Sequence, residues 1–196
     1  MIIAIEGNIG AGKTELIKKL CVAMPNCVPY YEPVNNNPYL ALFYEDPKRW
    51  AFPNQMGLLL QRTKTEKRAY ELSTVGLGKI CLLDRSLIGD YIFAKVNHDR
   101  GNISQLELQT YNQYFRFVNP GMFYRRIIFL DVTPETAKYR LEQRKSWQEK
   151  EEIPLSYYQA LDTTYREHLK NFPNVQYIDW EEPYQSVTPI IEMLQQ

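Results

Sequence analysis

The chain has 196 residues, 44% of them hydrophobic, with Lys plus Arg and Asp plus Glu both at 23 and a formal net charge of +0. That length suits one domain with a sizeable core, the apolar content excludes a wholly disordered chain, and the charge balance argues against a nucleic-acid partner. Cys21, Cys27 and Cys81 lack paired metal-ligand spacing and only His98 and His168 accompany them, so no structural zinc site is expected; nor does any apolar run approach the ~20 residues of a membrane helix, and the expectation is a cytoplasmic protein with reduced thiols and no membrane partner.

Ile2 to Glu6 reads as a buried strand, and Thr14 to Met24 then repeats apolar residues at helical spacing through Leu16, Ile17, Leu20 and Met24. Val28 to Tyr31 predicts a second strand, closed by Glu32-Pro33. Residues 39 to 70 are largely helical in pattern, with Pro47 and Pro53 expected to divide the run or to sit near helix starts. Lys79 to Asp84 predicts a strand ending in DRS, followed by a helix reaching Lys95 and, beyond Gly101, a second helix from Ser104 to Phe117. Ser104 and Glu107 have capping-box spacing. Ile127 to Val132 predicts a strand, Thr133 an N-cap and Pro134 the first helical position; Leu155 to Phe172 is helical and Val175 to Asp179 the last strand. Strands separated by helices predict an α/β fold with a central parallel sheet flanked by helices, as one domain over 1–196.

Between the first strand and first helix lies GNIGAGKT, Gly7 to Thr14, the G-x-x-x-x-G-K-T pattern of a P-loop. Glycines let the backbone turn closely around an anion so that several N–H groups converge on phosphate oxygens; Lys13 then reaches the outer phosphates and the Thr14 hydroxyl can ligate Mg2+. The setting between strand and helix makes the motif a nucleotide-phosphate signal, with ATP as the expected donor. Asp84, at the end of a neighbouring strand, is placed to support that metal directly or through its waters, and Arg85 adds a fork for phosphate. Glu32, at the end of the second strand, stands where an open parallel sheet forms its crevice and can take the proton of an attacking hydroxyl.

GNIGAGKT, YEPV, NPYLALFYEDPKRWAFPNQ, LLDRSLIGDYIFAK and EEIPLSYYQAL follow one another through most of the chain. In these pieces and their order it resembles the deoxynucleoside kinase family, especially deoxyadenosine/deoxyguanosine kinase-like members from bacteria and viruses. The resemblance implies a P-loop kinase fold with a small helical lid, here around 144–154. It also implies transfer of the γ-phosphoryl group of ATP to the 5'-hydroxyl of a deoxynucleoside. Glu32 matches the general base, Arg85 and Asp84 the arginine and acid of the E/D-R-S motif, and Asn8 to Thr14 the phosphate loop (Asn8, Ile9, Gly10, Ala11, Gly12, Lys13, Thr14). Tyr44, eleven positions before Gln55, matches the tyrosine at the sugar 3'-hydroxyl; Gln55 the amide that reads the base; Phe93 the aromatic that stacks on it; Arg62 and Asp90 the charged neighbours that favour purines or deoxycytidine over thymidine.

Two segments depart from the pattern. Asn35 to Asn37 stand where some members carry a tryptophan, and Trp50 is assigned to core packing instead. The lid reads EQRKSWQEKEEIPL in place of R-G-R followed by acids. Arg140 and Arg144 remain expected ATP-phosphate contacts, Glu149 or Glu151 the lid acid at the sugar, and Tyr184 an adenine-side residue. The family habit implies a homodimer through apolar positions of the helices after Asp84 and Ser104. A nucleoside-monophosphate kinase and a non-catalytic nucleotide-binding subunit are the alternatives.

Overall fold

In the computed structural model, residues 1–32, 37–75, 78–119, 124, 126–144, 153–182 and 185–195 are described. Their elements run β1 (Ile2–Glu6), α1 (Lys13–Ala23), β2 (Cys27–Tyr30), α2 (Leu40–Glu45), α3 (Pro47–Thr74), β3 (Ile80–Asp84), α4 (Leu87–Asp99), α5 (Gln105–Val118), β4 (Arg126–Asp131), α6 (Pro134–Arg144), α7 (Leu155–Leu169), β5 (Val175–Asp179) and α8 (Thr188–Leu194). The strands form one parallel sheet in the order β2-β3-β1-β4-β5. Every residue of β1 and β3 is buried, as expected for strands covered on both faces, and this explains their continuous apolar runs.

The sheet order positions the site. β1 lies between β3 and β4, so the chain leaves β1 towards one side, through β2 and β3, and then crosses to β4 on the other. Ligand crevices of open parallel sheets form at such reversals, beyond the carboxyl ends of the strands. Register places Ile5 opposite Asp84 and Tyr30 opposite Leu83, so Glu6, Glu32 and Asp84 all emerge at that edge.

The local signals act as expected at most boundaries. Ser104 and Glu107 form a complete capping box, and Thr133 Oγ1 accepts from Thr136 N at 3.3 Å. Pro47 opens α3, where its missing N–H costs nothing, and the Asp46 side chain accepts from Arg49 N. Pro53, however, lies inside α3 and does not divide it; 28 residues run through it, anchored by buried Ala51, Leu58, Leu59 and Ala69. α8 was not foreseen, although Ile190 and Leu194 bury one face of it and a proline stands in its first turn. Trp50 is half-buried, packed on the small Phe43, Ala51 and Ile103 cluster and beneath the Arg49 guanidinium. Ile88, Ile92 and Val96 of α4 lie in the chain's own core, while α5 exposes Leu106 and Phe117, 73% and 82%.

Candidate active site

A cleft of about 740 Å³ opens above the carboxyl edge of the sheet. The P-loop, the ends of β2 and β3, α3 and α4 line it. On the donor side the loop is held in shape before any phosphate arrives. Asn8 Nδ2 donates to Tyr158 O at 2.9 Å and Asn8 Oδ1 accepts from Ile9 N at 2.9 Å. Gly10 has φ 76°, and a Cβ there would lie 2.2 Å from the Ala137 carbonyl oxygen, so the position admits only glycine. Lys13 Nζ folds over the loop, donating to Asn8 O at 2.8 Å and Gly7 O at 3.3 Å. Burial first, and then the nearby Arg85 guanidinium, push its pKa down to about 8.

Thr14 Oγ1 donates to Asp84 Oδ2 at 2.5 Å. Burial raises the Asp84 pKa, with Lys13 opposing. Among the described residues no group of three or more His, Cys, Asp and Glu side chains could cage a metal. One hydroxyl and one carboxylate at the mouth of a phosphate loop nevertheless fit Mg2+, which takes few protein oxygens and completes its octahedron with water and substrate phosphates. Arg140 also lines the cleft, but its N–H groups go to backbone carbonyls: Ala11 O at 3.4 Å, Trp180 O at 3.0 Å and Glu181 O at 2.7 Å. It thereby ties the phosphate loop to the segment after β5. Trp180, buried beside Gly12, is a wall residue the sequence motifs did not single out. The Arg144 side chain, Glu149, Glu151 and Tyr184, with most of the lid, lie outside the described residues.

The acceptor side is a charge network. Glu32 pairs with Arg62, and its Oε1 lies 3.3 Å from Arg85 Nε. Burial alone would raise the Glu32 pKa; Arg85, then Arg62 and Lys13, overcome it and hold the carboxylate at about 2. Arg62 also pairs with Asp90, which is completely buried. Gln55 Nε2 donates to Asp90 Oδ1 at 2.8 Å and to Asp90 O at 3.0 Å, while Tyr111 OH donates to Oδ1 at 2.7 Å. These bonds consume the Gln55 nitrogen and fix the amide's orientation. Gln55 and Arg62, one heptad apart on α3, thus meet Asp90 of α4 as one unit.

Phe93 and Tyr44 line the same cleft, and the Phe93 ring lies 4.4 Å beneath the Arg85 guanidinium. Asn54, Asn97 and Tyr157 complete the wall and were missed. Asn54 Oδ1 accepts from Asn37 Nδ2 at 2.6 Å, so a polar amide pair stands near the segment where the aromatic is lacking. Capping and periodicity carry no signal for such contacts, because they join residues far apart in sequence. One visible clue is Glu6, a carboxylate ending an otherwise apolar strand; it is fully buried.

Residues 3–192 match the deoxynucleoside kinase family. The chain is similar to deoxyguanosine kinase of Dictyostelium discoideum, 38% identical over 91% of this chain and 64% of that protein, so it spans just under two thirds of that relative's length. It is also similar to deoxyadenosine/deoxycytidine kinase of Bacillus subtilis, 32% identical over 87% of this chain and 77% of the relative. The solved structure of deoxyadenosine kinase from M. mycoides with bound dATP superposes with a TM-score of 0.87 at 30% identity, covering 100% of both chains. A P-loop on the central strand of a five-stranded parallel sheet, a carboxylate–arginine pair beside it and a match over nearly the whole sequence place this chain in the deoxynucleoside kinase family.

Proposed function

We propose that this chain transfers the γ-phosphoryl group of ATP to the 5'-hydroxyl of a deoxynucleoside, with deoxyadenosine, deoxyguanosine or deoxycytidine preferred over thymidine. The observation that carries the reading is the convergence of Glu32, Arg85 and Arg62 beside the P-loop, with the Gln55–Asp90 pair behind them in one cleft.

ATP phosphates lie on the backbone of Asn8, Ile9, Gly10, Ala11 and Gly12, with Lys13 at the outer phosphates and Arg140, Arg144 and Tyr184 on the donor side. Thr14 and Asp84 would hold Mg2+, which would neutralise charge on the phosphate oxygens. Tyr44 and Glu149 take the sugar hydroxyl, Phe93 stacks on the base and Gln55 reads its edge, with Arg62 and Asp90 fixing the amide. Glu32 orients the 5'-hydroxyl and receives its proton. A carboxylate with a pKa near 2 is a weak base, so proton transfer follows the loose transition state of phosphoryl transfer late, and alignment and charge stabilisation supply most of the acceleration. Arg85 steadies Glu32 and faces the transferring group.

Relatives bearing the names deoxyguanosine, deoxyadenosine and deoxyadenosine/deoxycytidine kinase support the acceptor class. The protein is read as a cytoplasmic homodimer that meets through apolar positions of α4 and α5, where Leu106, Tyr114 and Phe117 of α5 are exposed; no described helix is long and apolar enough to cross a membrane, and small nucleotides rather than nucleic acid are its partners. An acceptor panel with ATP and Mg2+, covering the four deoxynucleosides and their monophosphates, tests the function. Phosphorylation of deoxyadenosine, deoxyguanosine or deoxycytidine is expected; transfer only to monophosphates would overturn it, and a strong thymidine preference would overturn the base assignment.

A further inference from the structure

Arg85 is held on a second side by groups that the reading above does not use. Its backbone has φ 68°, a conformation non-glycine residues seldom adopt, fixed by Arg85 N donating to Ile5 O at 3.0 Å. NH1 donates to Gly7 O at 3.1 Å and to Tyr165 OH at 2.5 Å. An arginine can only donate, so the Tyr165 hydroxyl must spend its own proton elsewhere: it donates to Glu6 Oε2 at 2.9 Å. Glu6 is completely buried, and its other oxygen accepts from Ser86 N at 2.8 Å, Ser86 Oγ at 2.5 Å and Gly89 N at 3.3 Å. The carboxylate therefore sits on the N-terminal turn of α4, where the helix dipole favours negative charge.

Gly89 completes the arrangement. It lies in the first turn of α4, where glycine weakens a helix, yet a Cβ there would stand 2.5 Å from Arg85 Cγ, 2.6 Å from Glu6 Oε2 and 2.7 Å from Tyr165 OH. Its missing side chain is the space in which the three groups meet. With NH1 anchored, Nε faces Glu32 without a hydrogen bond, and NH2 makes none among the described residues.

We propose that Glu6 and Tyr165 are positioning residues: they hold one arm of Arg85 through a one-way chain of hydrogen bonds, so that its remaining N–H groups point at Glu32 and the transferring phosphoryl group, with Gly89 providing the clearance. The proposal rests on Arg85 acting in the reaction.

The test compares Tyr165→Phe and Glu6→Gln with Arg85→Lys, singly and as the double variant of Tyr165→Phe with Arg85→Lys, in steady-state kinetics normalised to folded protein. Tyr165→Phe deletes one buried oxygen and is expected to lower kcat by about ten- to hundredfold with KM for both substrates within about threefold, as misalignment in the transition state does. Adding it to Arg85→Lys is expected to cost less than about threefold more, because the residue it positions is already altered. Glu6→Gln, which keeps the shape, is expected to lower kcat likewise and serves alone if Tyr165→Phe does not fold. Normal kcat in Arg85→Lys would overturn the assignment of Arg85 to the reaction. Impaired Arg85→Lys beside normal kcat in the foldable Tyr165 or Glu6 variant, or multiplied losses in the double variant, would overturn the positioning role.

Discussion

Asp90→Asn is the most informative single change in the acceptor pocket. The carboxylate accepts from Arg62, from Gln55 Nε2 at 2.8 Å and from Tyr111 OH at 2.7 Å, all donors and all buried side chains. An amide has one oxygen where the carboxylate has two, and its NH2 must confront one of those donors. Removing one partner of a buried ion pair costs about 3–5 kcal/mol; Glu32 still faces Arg62, so the lower end, about 3 kcal/mol, applies. For a chain of this size each kcal/mol lowers Tm by about 2–4 °C, giving a drop of about 6–12 °C. Gln55 loses its fixed orientation as well, so KM for the deoxynucleoside should rise while KM for ATP stays put. Thermal unfolding, and steady-state kinetics with each substrate varied at a saturating concentration of the other, give these readouts. An unchanged unfolding midpoint together with an unchanged nucleoside KM would refute the view that Asp90 organises the base-reading amide.

Glu32→Gln keeps the outline of the site but removes the proton acceptor and one counter-charge of Arg62; kcat should fall by about 10²–10⁴, and near-normal turnover in a quench assay would count against the base assignment. Lys13, with a pKa near 8 in the free protein, should be recharged by ATP phosphates, so titration calorimetry at pH 8 in buffers of different ionisation enthalpy should show uptake of about half a proton; no uptake would contradict the burial argument. The sign for stability is the reverse of a salt-bridged lysine: the unfolded chain binds more protons between about pH 8 and 10.5, so this group alone makes stability rise with pH across that window. Gly10→Ala would set a Cβ against the Ala137 carbonyl; ATP affinity by equilibrium dialysis should fall by at least about tenfold, and retained affinity would show that the loop can shift.

The sheet was legible because its strands are short apolar runs between amphipathic helices, and the P-loop because its glycines, lysine and threonine are adjacent. Gln55, Arg62, Asp90, Phe93 and Tyr44 were placed through motif order, and all five line or back the same cleft. Pro53 misled because a proline's local cost was outweighed by the packing of a long helix, and α8 because seven residues give too few turns to show a period. Tyr165 and Trp180 were invisible for a different reason. Each reads as an ordinary core aromatic until the fold brings α7 against the end of β1 and the residue after β5 against Gly12, more than 150 residues earlier in the chain.

The order β2-β3-β1-β4-β5 also divides labour across the molecule. Tyr44, Gln55, Arg62, Asp90 and Phe93 hang from β2, β3 and the helices near them, whereas Arg140 and Trp180 hang from β4, β5 and their connections; β1, with its loop and Glu6, lies between, and α7 reaches across to it through Tyr165. Changes of base preference on α3 or α4 should therefore leave donor affinity alone and combine additively with substitutions at Trp180, whereas the Tyr165–Arg85 pair, in direct contact across β1, should not. A fold wired this way lets selection retune one substrate without renegotiating the other.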